Sequence, residues 1–95
     1  MGLIEWIFGN SSSEAIREMI GAGSSVKDIA NTFAHIDGEK LKKIIITEIN
    51  SYFDKELKRL RNDLDYKIIT RTKFAEVTAK IIKKKNSMLA AAEKL

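Results

Sequence analysis

Few side chains in this chain of 95 residues could take part in catalysis. Cysteine is absent, which excludes thiol nucleophiles and thiolate metal sites. The single histidine, His35, stands between Phe33 and Ile36 beside a predicted turn, and we interpret it as a structural or exposed turn residue. No glutamate precedes it at the Glu-x-x-His spacing of helical metal sites. We therefore predict no catalytic residue, no metal site and no cofactor.

One short segment has the composition of a phosphate loop. Residues 21–25 read Gly-Ala-Gly-Ser-Ser in front of a predicted helix, and such a loop can hold an anion on its free backbone amides. No strand pattern precedes the segment, however, and Lys27 does not stand where a phosphate loop places its lysine. We interpret residues 21–25 as a connector between two helices.

Charge is unevenly distributed along the chain, although the net charge is only +4. Residues 1–38 contain two basic and five acidic side chains, whereas residues 66–95 contain eight basic and two acidic ones. This asymmetry indicates an anionic partner or head-to-tail electrostatic contact between copies. No apolar run could span a membrane, and residues 1–8 lack the basic start of a secretory signal, so we expect a cytoplasmic protein.

The first third of the sequence predicts an apolar segment followed by two short helices. Residues 1–10 form the apolar segment, which Gly9 and Asn10 end. Ser11 begins the first helix with Glu14 at capping-box spacing, and residues 21–23 end it. Ser25 caps the second helix, and Asp37 is the candidate cap of a third.

The remainder of the chain, residues 38–95, contains neither proline nor glycine after Gly38 and predicts long helices. An apolar stripe recurs every three or four residues, at Leu41, Ile45, Ile49, Phe53, Leu57, Leu60 and Leu64. The polar residues at 62–65 suggest a break. A tight hairpin and a continuous helix are both open at this point.

The last predicted helix begins at about Tyr66 and carries two apolar rows. One row has heptad spacing, which is typical of helix-on-helix packing: Ile68, Thr72, Ala75, Ala79, Ile82, Asn86 and Leu89. The second row lies beside it: Phe74, Val77, Ile81 and Met88. The fold class is therefore all-α, a single-domain bundle of two short N-terminal helices followed by two long helices.

Residues 14–45 resemble the helix-turn-helix unit of three-helix DNA-binding domains. The resemblance rests on Ile16-Arg17-Glu18-Met19-Ile20, Gly23, Ser25 to Phe33 with the small residue Ala30, and Lys40 to Ile44. It covers about a third of the chain and implies that the third helix enters the major groove. The segment departs from the family pattern in three respects. Ala34 stands where a glycine is usual, and the apolar residues of the third helix fall one position late. The segment is also acidic before Lys40.

The function that these patterns favour is a non-enzymatic protein-binding or assembly module that self-associates through its long helices. The apolar surface exceeds what so short a chain can bury alone. The candidate partner-binding residues are Trp6, Phe8, Phe74, Ile81 and Met88. The alternative is a nucleic-acid-binding regulator, with candidate contacts at Lys40, Lys42, Lys43, Lys80, Lys83, Lys84 and Lys85. Attachment to a membrane surface ranks last, because Glu5 interrupts the short apolar N-terminus.

Overall fold

The computed structural model describes the backbone of residues 2–95 and the side chains of residues 12–95. This part of the chain is helical and contains no strand, which confirms the predicted all-α class. The four helices are α1 (Gly2–Gly21), α2 (Val26–Thr32), α3 (Gly38–Asp65) and α4 (Arg71–Glu93). Helix α3 is central, because α1 and α4 both pack against it, while α2 packs against α4.

The predicted start of the first helix at Ser11 is wrong. Helix α1 already begins at Gly2 and continues through Gly9 and Asn10, which were expected to end the apolar segment. A glycine inside a helix costs only about 1 kcal/mol relative to alanine, so it weakens a helix without necessarily ending it. Ser11 therefore lies within α1 and cannot cap its start.

The connections around α2 follow the sequence prediction. Helix α1 ends in a Schellman motif, in which Ser24 N–H donates to Met19 O and Gly23 N–H to Ile20 O, with Gly23 at φ +89°. The Ser25 hydroxyl caps α2 by accepting from Asp28 N–H at 3.1 Å. The Asp37 carboxylate caps α3 by accepting from Lys40 N–H at 3.4 Å. These contacts confirm the connector at residues 21–25 and both predicted caps.

Helices α3 and α4 form an antiparallel hairpin, which decides between the two alternatives for residues 62–65. Helix α3 continues to Asp65, and the chain reverses over residues 66–70. Helix α4 starts at Arg71 rather than Tyr66, with the hydroxyl of Thr70 accepting from Lys73 N–H. The sequence pattern did not predict this cap, because no acidic residue follows Thr70 in the first turn of α4.

The buried core lies at one end of this hairpin. Its members are Ile16, Ile20, Val26, Ile29, Leu41, Ile45, Ile49, Phe53, Met88 and Ala92. No residue from position 54 to position 87 is buried. Helices α1 and α2 therefore cover only the base of the hairpin, where the N-terminal half of α3 meets the C-terminal end of α4.

A second Schellman motif ends α3, and it places a lysine in the left-handed region. Ile68 N–H donates to Asp63 O and Lys67 N–H to Leu64 O, with Lys67 at φ +59°. A side chain in this conformation brings Cβ too close to the carbonyl oxygen, which costs about 1–2 kcal/mol. Glycine usually occupies this position for that reason.

We expect Lys67→Gly to raise the free energy of unfolding by about 1 kcal/mol, because glycine adopts the left-handed conformation without strain. Urea denaturation monitored by circular dichroism measures this change. Lys67→Ala is the matched control, since it removes the same amine and keeps Cβ. An equal gain in both variants would show that the lysine side chain, and not backbone strain, is responsible.

Candidate docking surfaces

One flank of α4, together with Ile68 in the turn before the helix, is exposed as far as Asn86. We call these residues the outer row: Ile68, Thr72, Ala75, Ala79, Ile82 and Asn86. Ile68 is 70% exposed and Ile82 is 43% exposed. The outer-row residues are six of the seven whose heptad spacing predicted helix-on-helix packing, and the seventh, Leu89, packs against the core. The outer row therefore has the pattern of a helix interface without a partner helix among the described residues.

Small side chains dominate the middle of the outer row. Ala75 and Ala79 both lie on the exposed face, one turn apart. Such residues let the backbones of two helices approach closely, whereas a surface helix needs no small residue at heptad spacing. Asn86 occupies one seam position, where a buried asparagine can fix the register and number of helices in a coiled coil.

Opposite charges flank the outer row near its start. Arg71 and Glu76 are both exposed, and they stand five residues apart on the two edges of the row. In a parallel pair of helices, residues with this spacing face each other across the seam. Glu76 also lies 3.6 Å from Lys80 within α4, an exposed pair that contributes little by itself.

The second row of α4 faces α3 instead of a partner. Met88 belongs to the buried core, and Ile81 packs against that core. Phe74 is half-buried where α4 meets the far end of α3. The structure thus places Met88 and Ile81 against their own chain, and the binding of a partner by these three residues stays a prediction. The other two aromatic candidates, Trp6 and Phe8, lie outside the residues whose side chains the structure describes.

Ion pairs occupy several of the lysines predicted to contact nucleic acid. The Lys42 amine donates to the Glu93 carbonyl at 3.0 Å and lies 3.7 Å from the Glu93 carboxylate. The Lys85 amine lies 2.9 Å from the Asp54 carboxylate. These two pairs join α3 to α4 across the base of the hairpin, so Lys42 and Lys85 act as structural contacts.

The remaining lysine candidates fall into two separate groups. Lys40 and Lys43 lie exposed on the first turns of α3, and Lys83 and Lys84 lie exposed on α4. Within residues 12–95, none of the four has an acidic partner within 4.0 Å.

The helix that the helix-turn-helix resemblance assigns to the major groove is α3, the central helix of the bundle.

The far end of the hairpin carries a concentration of positive charge. We call residues 57–74 the hairpin tip. It contains six basic and two acidic side chains, which leaves a net charge of +4, equal to that of the whole chain. Tyr66 is 78% exposed at the turn. The tip is therefore a cationic projection with exposed apolar groups at its end.

Glu48 is the one buried charged side chain among the described residues, and it forms an ion pair that joins α1 to α3. Arg17 Nε donates to Glu48 Oε2 at 2.9 Å, and Glu48 is only 6% exposed. The hydrogen bond to Glu48, followed by attraction to its charge, raises the pKa of Arg17. The charged Arg17 side chain stabilises the folded protein fully at any pH below the usual pKa of arginine. This stabilisation is lost only as the pH rises through the raised pKa of Arg17.

The other chemistry-bearing groups remain apart. His35 is exposed in the turn between α2 and α3, with its ring 6.2 Å from that of Phe33, as the sequence predicted. Within residues 12–95, no three histidine, aspartate or glutamate side chains are grouped so that they could hold a metal ion. No helix in the described residues is long and apolar enough to cross a bilayer.

Comparisons with family models, with curated proteins and with solved structures found no match for this chain.

We expect the two partners of the α1–α3 ion pair to respond unequally to substitution. Arg17→Met leaves the Glu48 carboxylate buried without a donor and should lower the free energy of unfolding by about 1–3 kcal/mol. Glu48→Gln keeps a hydrogen-bond acceptor and leaves Arg17 partly solvated, so its cost should stay below about 1 kcal/mol. Urea denaturation of both variants measures the difference. Equal costs would mean that Glu48 is solvated in the folded protein.

Proposed function

We propose that this protein is a non-enzymatic assembly module that self-associates through the outer row of α4. The observation that carries the proposal is the exposure of six heptad residues along α4 and the turn before it, while another side of the helix is packed against its own chain. A second copy of the same helix is the occupant that fits this face. Its small and apolar residues would then be buried against identical ones in a symmetric interface.

Charge favours a parallel pairing of the two α4 helices. In that arrangement Arg71 of each copy faces Glu76 of the other, which places two opposite-charge pairs beside the seam. The two Asn86 side chains meet at the same level and can hydrogen-bond to each other. The two hairpin tips then lie side by side at one end of the dimer, so that their charges combine on a single surface.

Such a dimer is suited to act as a small adaptor, a structural assembly factor or an inhibitor of a larger target. The combined tips supply a cationic, partly apolar surface that an acidic protein would complement. The exposed ring of Tyr66 would be buried by this contact. The outer row begins within the tip, at Ile68 and Thr72, so a further partner would bind directly beside the dimer seam.

Placing a charge in the middle of the outer row should disrupt self-association. We expect Ala79→Glu to raise the dissociation constant of the dimer at least about tenfold, because two carboxylates would be buried next to each other. Sedimentation velocity over a wide concentration range measures this change. Ser87→Glu is the matched control, since it adds the same charge to the same helix away from the outer row. A wild-type protein that stays monomeric throughout would refute the proposal.

The orientation of the two helices has its own test. Arg71→Glu should weaken the dimer by a few fold through repulsion with Glu76 of the second copy, and the double variant Arg71→Glu, Glu76→Arg should restore it. An antiparallel pair does not bring these two positions together. Failure of the double variant to recover affinity, with dimers still present, would therefore contradict the parallel arrangement alone.

The charge of the hairpin tip also favours a second candidate function, binding to nucleic acid. The six basic side chains of the tip could neutralise backbone phosphates, as could Lys40, Lys43, Lys83 and Lys84. Binding of a random-sequence DNA duplex should then fall steeply between low and moderate salt, by about one unit of log–log slope for each phosphate contact. Absence of binding at low salt would exclude this function and leave the protein-binding module.

A further inference from the structure

We infer that a groove between the α1–α2 connector and α4 is a binding site for a small phosphorylated ligand. The groove has a volume of about 470 Å³, which lies within the usual range of small-molecule sites. Its polar lining consists of three lysines from α4 and three serines, two of them in the connector: Lys80, Lys83, Lys84, Ser24, Ser25 and Ser87. We call it the basic groove.

The charge of the basic groove is of one sign. Among the described residues, three lysines and no acidic side chain line it. Lys80 has a single weak partner in Glu76, and Lys83 and Lys84 have no acidic partner within 4.0 Å among the described residues. Ammonium groups gathered on one wall repel each other, and a multiply charged anion relieves that repulsion. Lysine is a common partner of phosphate groups for this reason.

The serines add donors that a phosphate needs and that a simple patch of surface lysines lacks. The Ser25 hydroxyl accepts from Asp28 N–H, so its own proton remains available to an oxygen atom in the groove. Ser24 is half-buried at the end of the Schellman motif, which holds the connector in place. The sequence alone identified residues 21–25 as a connector and gave no sign that α4 would supply the lysines.

The floor of the groove is apolar, and this feature indicates more than an inorganic anion. Val26 and Met88 are buried core residues that reach the groove, and Ala91 completes the floor. A ligand that combines a phosphate with an apolar or planar group would contact both the lysines and the floor. The groove has the volume of a small-molecule site, which favours such a ligand over a nucleic-acid duplex.

The test uses adenosine diphosphate and inorganic pyrophosphate as probes, added to the full-length ¹⁵N-labelled protein at constant ionic strength set with chloride. Both probes should shift the amide resonances of residues 23–26 and 80–91, and adenosine diphosphate should bind more tightly because it also contacts the floor. Equal affinities would refute the role of the floor. Absence of shifts with both probes, or shifts with a DNA duplex only, would overturn the proposed site.

Two variants and a matched control localise the binding. Lys83→Ala with Lys84→Ala should weaken binding of adenosine diphosphate by about tenfold or more, and Ser87→Glu should do so by placing a carboxylate in the groove. Lys40→Ala with Lys43→Ala removes the same charge from exposed positions on α3 and should leave the affinity unchanged. Equal losses in both double variants would show that only overall charge matters and would overturn the site.

The groove and the outer row can be tested independently of each other. The variant Ala75→Glu places a charge in the outer row without standing three or four residues from a groove lysine, so it should weaken the dimer and bind the probes as the wild type does. Conversely, Ser87→Glu should lose the probes and still self-associate. Failure of one proposal therefore leaves the other intact.

Discussion

The packing of α1 and α2 over the base of the α3–α4 hairpin is the contact on which the rest of the structure depends. Ile16 and Ile20 of α1 and Ile29 of α2 are fully enclosed there, together with Ile45 and Ile49 of the central helix. Burial of such side chains contributes about 1.5–3 kcal/mol each, and a chain of this size has few other sources of stability. The ion pair between Arg17 and Glu48 fixes how α1 crosses α3 at the edge of this core.

Two short helices cannot cover two long ones, and this mismatch in length shapes the surface of the molecule. Beyond Phe53 the hairpin consists of two helices alone, and their apolar seam stays half-buried at Leu57, Leu60 and Phe74. The positive charge of the hairpin tip is concentrated in the same region. The tip thus projects from the core as a surface in which apolar and cationic groups are combined, a composition that suits contact with acidic partners.

Helix α4 presents a different chemistry on each of its sides. Its second row completes the core at Met88, its outer row offers small residues at heptad spacing, and its lysines form one wall of the basic groove. Because a helix displays its residues every 100°, a run of 23 residues can serve three surfaces without conflict. The α1–α2 connector lines the other side of the basic groove.

The sequence by itself determined the helical class, the caps at Ser25 and Asp37, the glycine-containing end of α1 and the existence of two long helices. These features depend on local hydrogen bonds and on periodicity, which act over a few residues. It did not determine the start of α1, because a single glycine weakens a helix without ending it. Only the tertiary structure decided which row of α4 is buried, that Lys42 and Lys85 form ion pairs, and that Ser25 and Lys84 line the same groove. Those outcomes depend on the register of helices far apart in the chain, and register is set by how whole faces pack together.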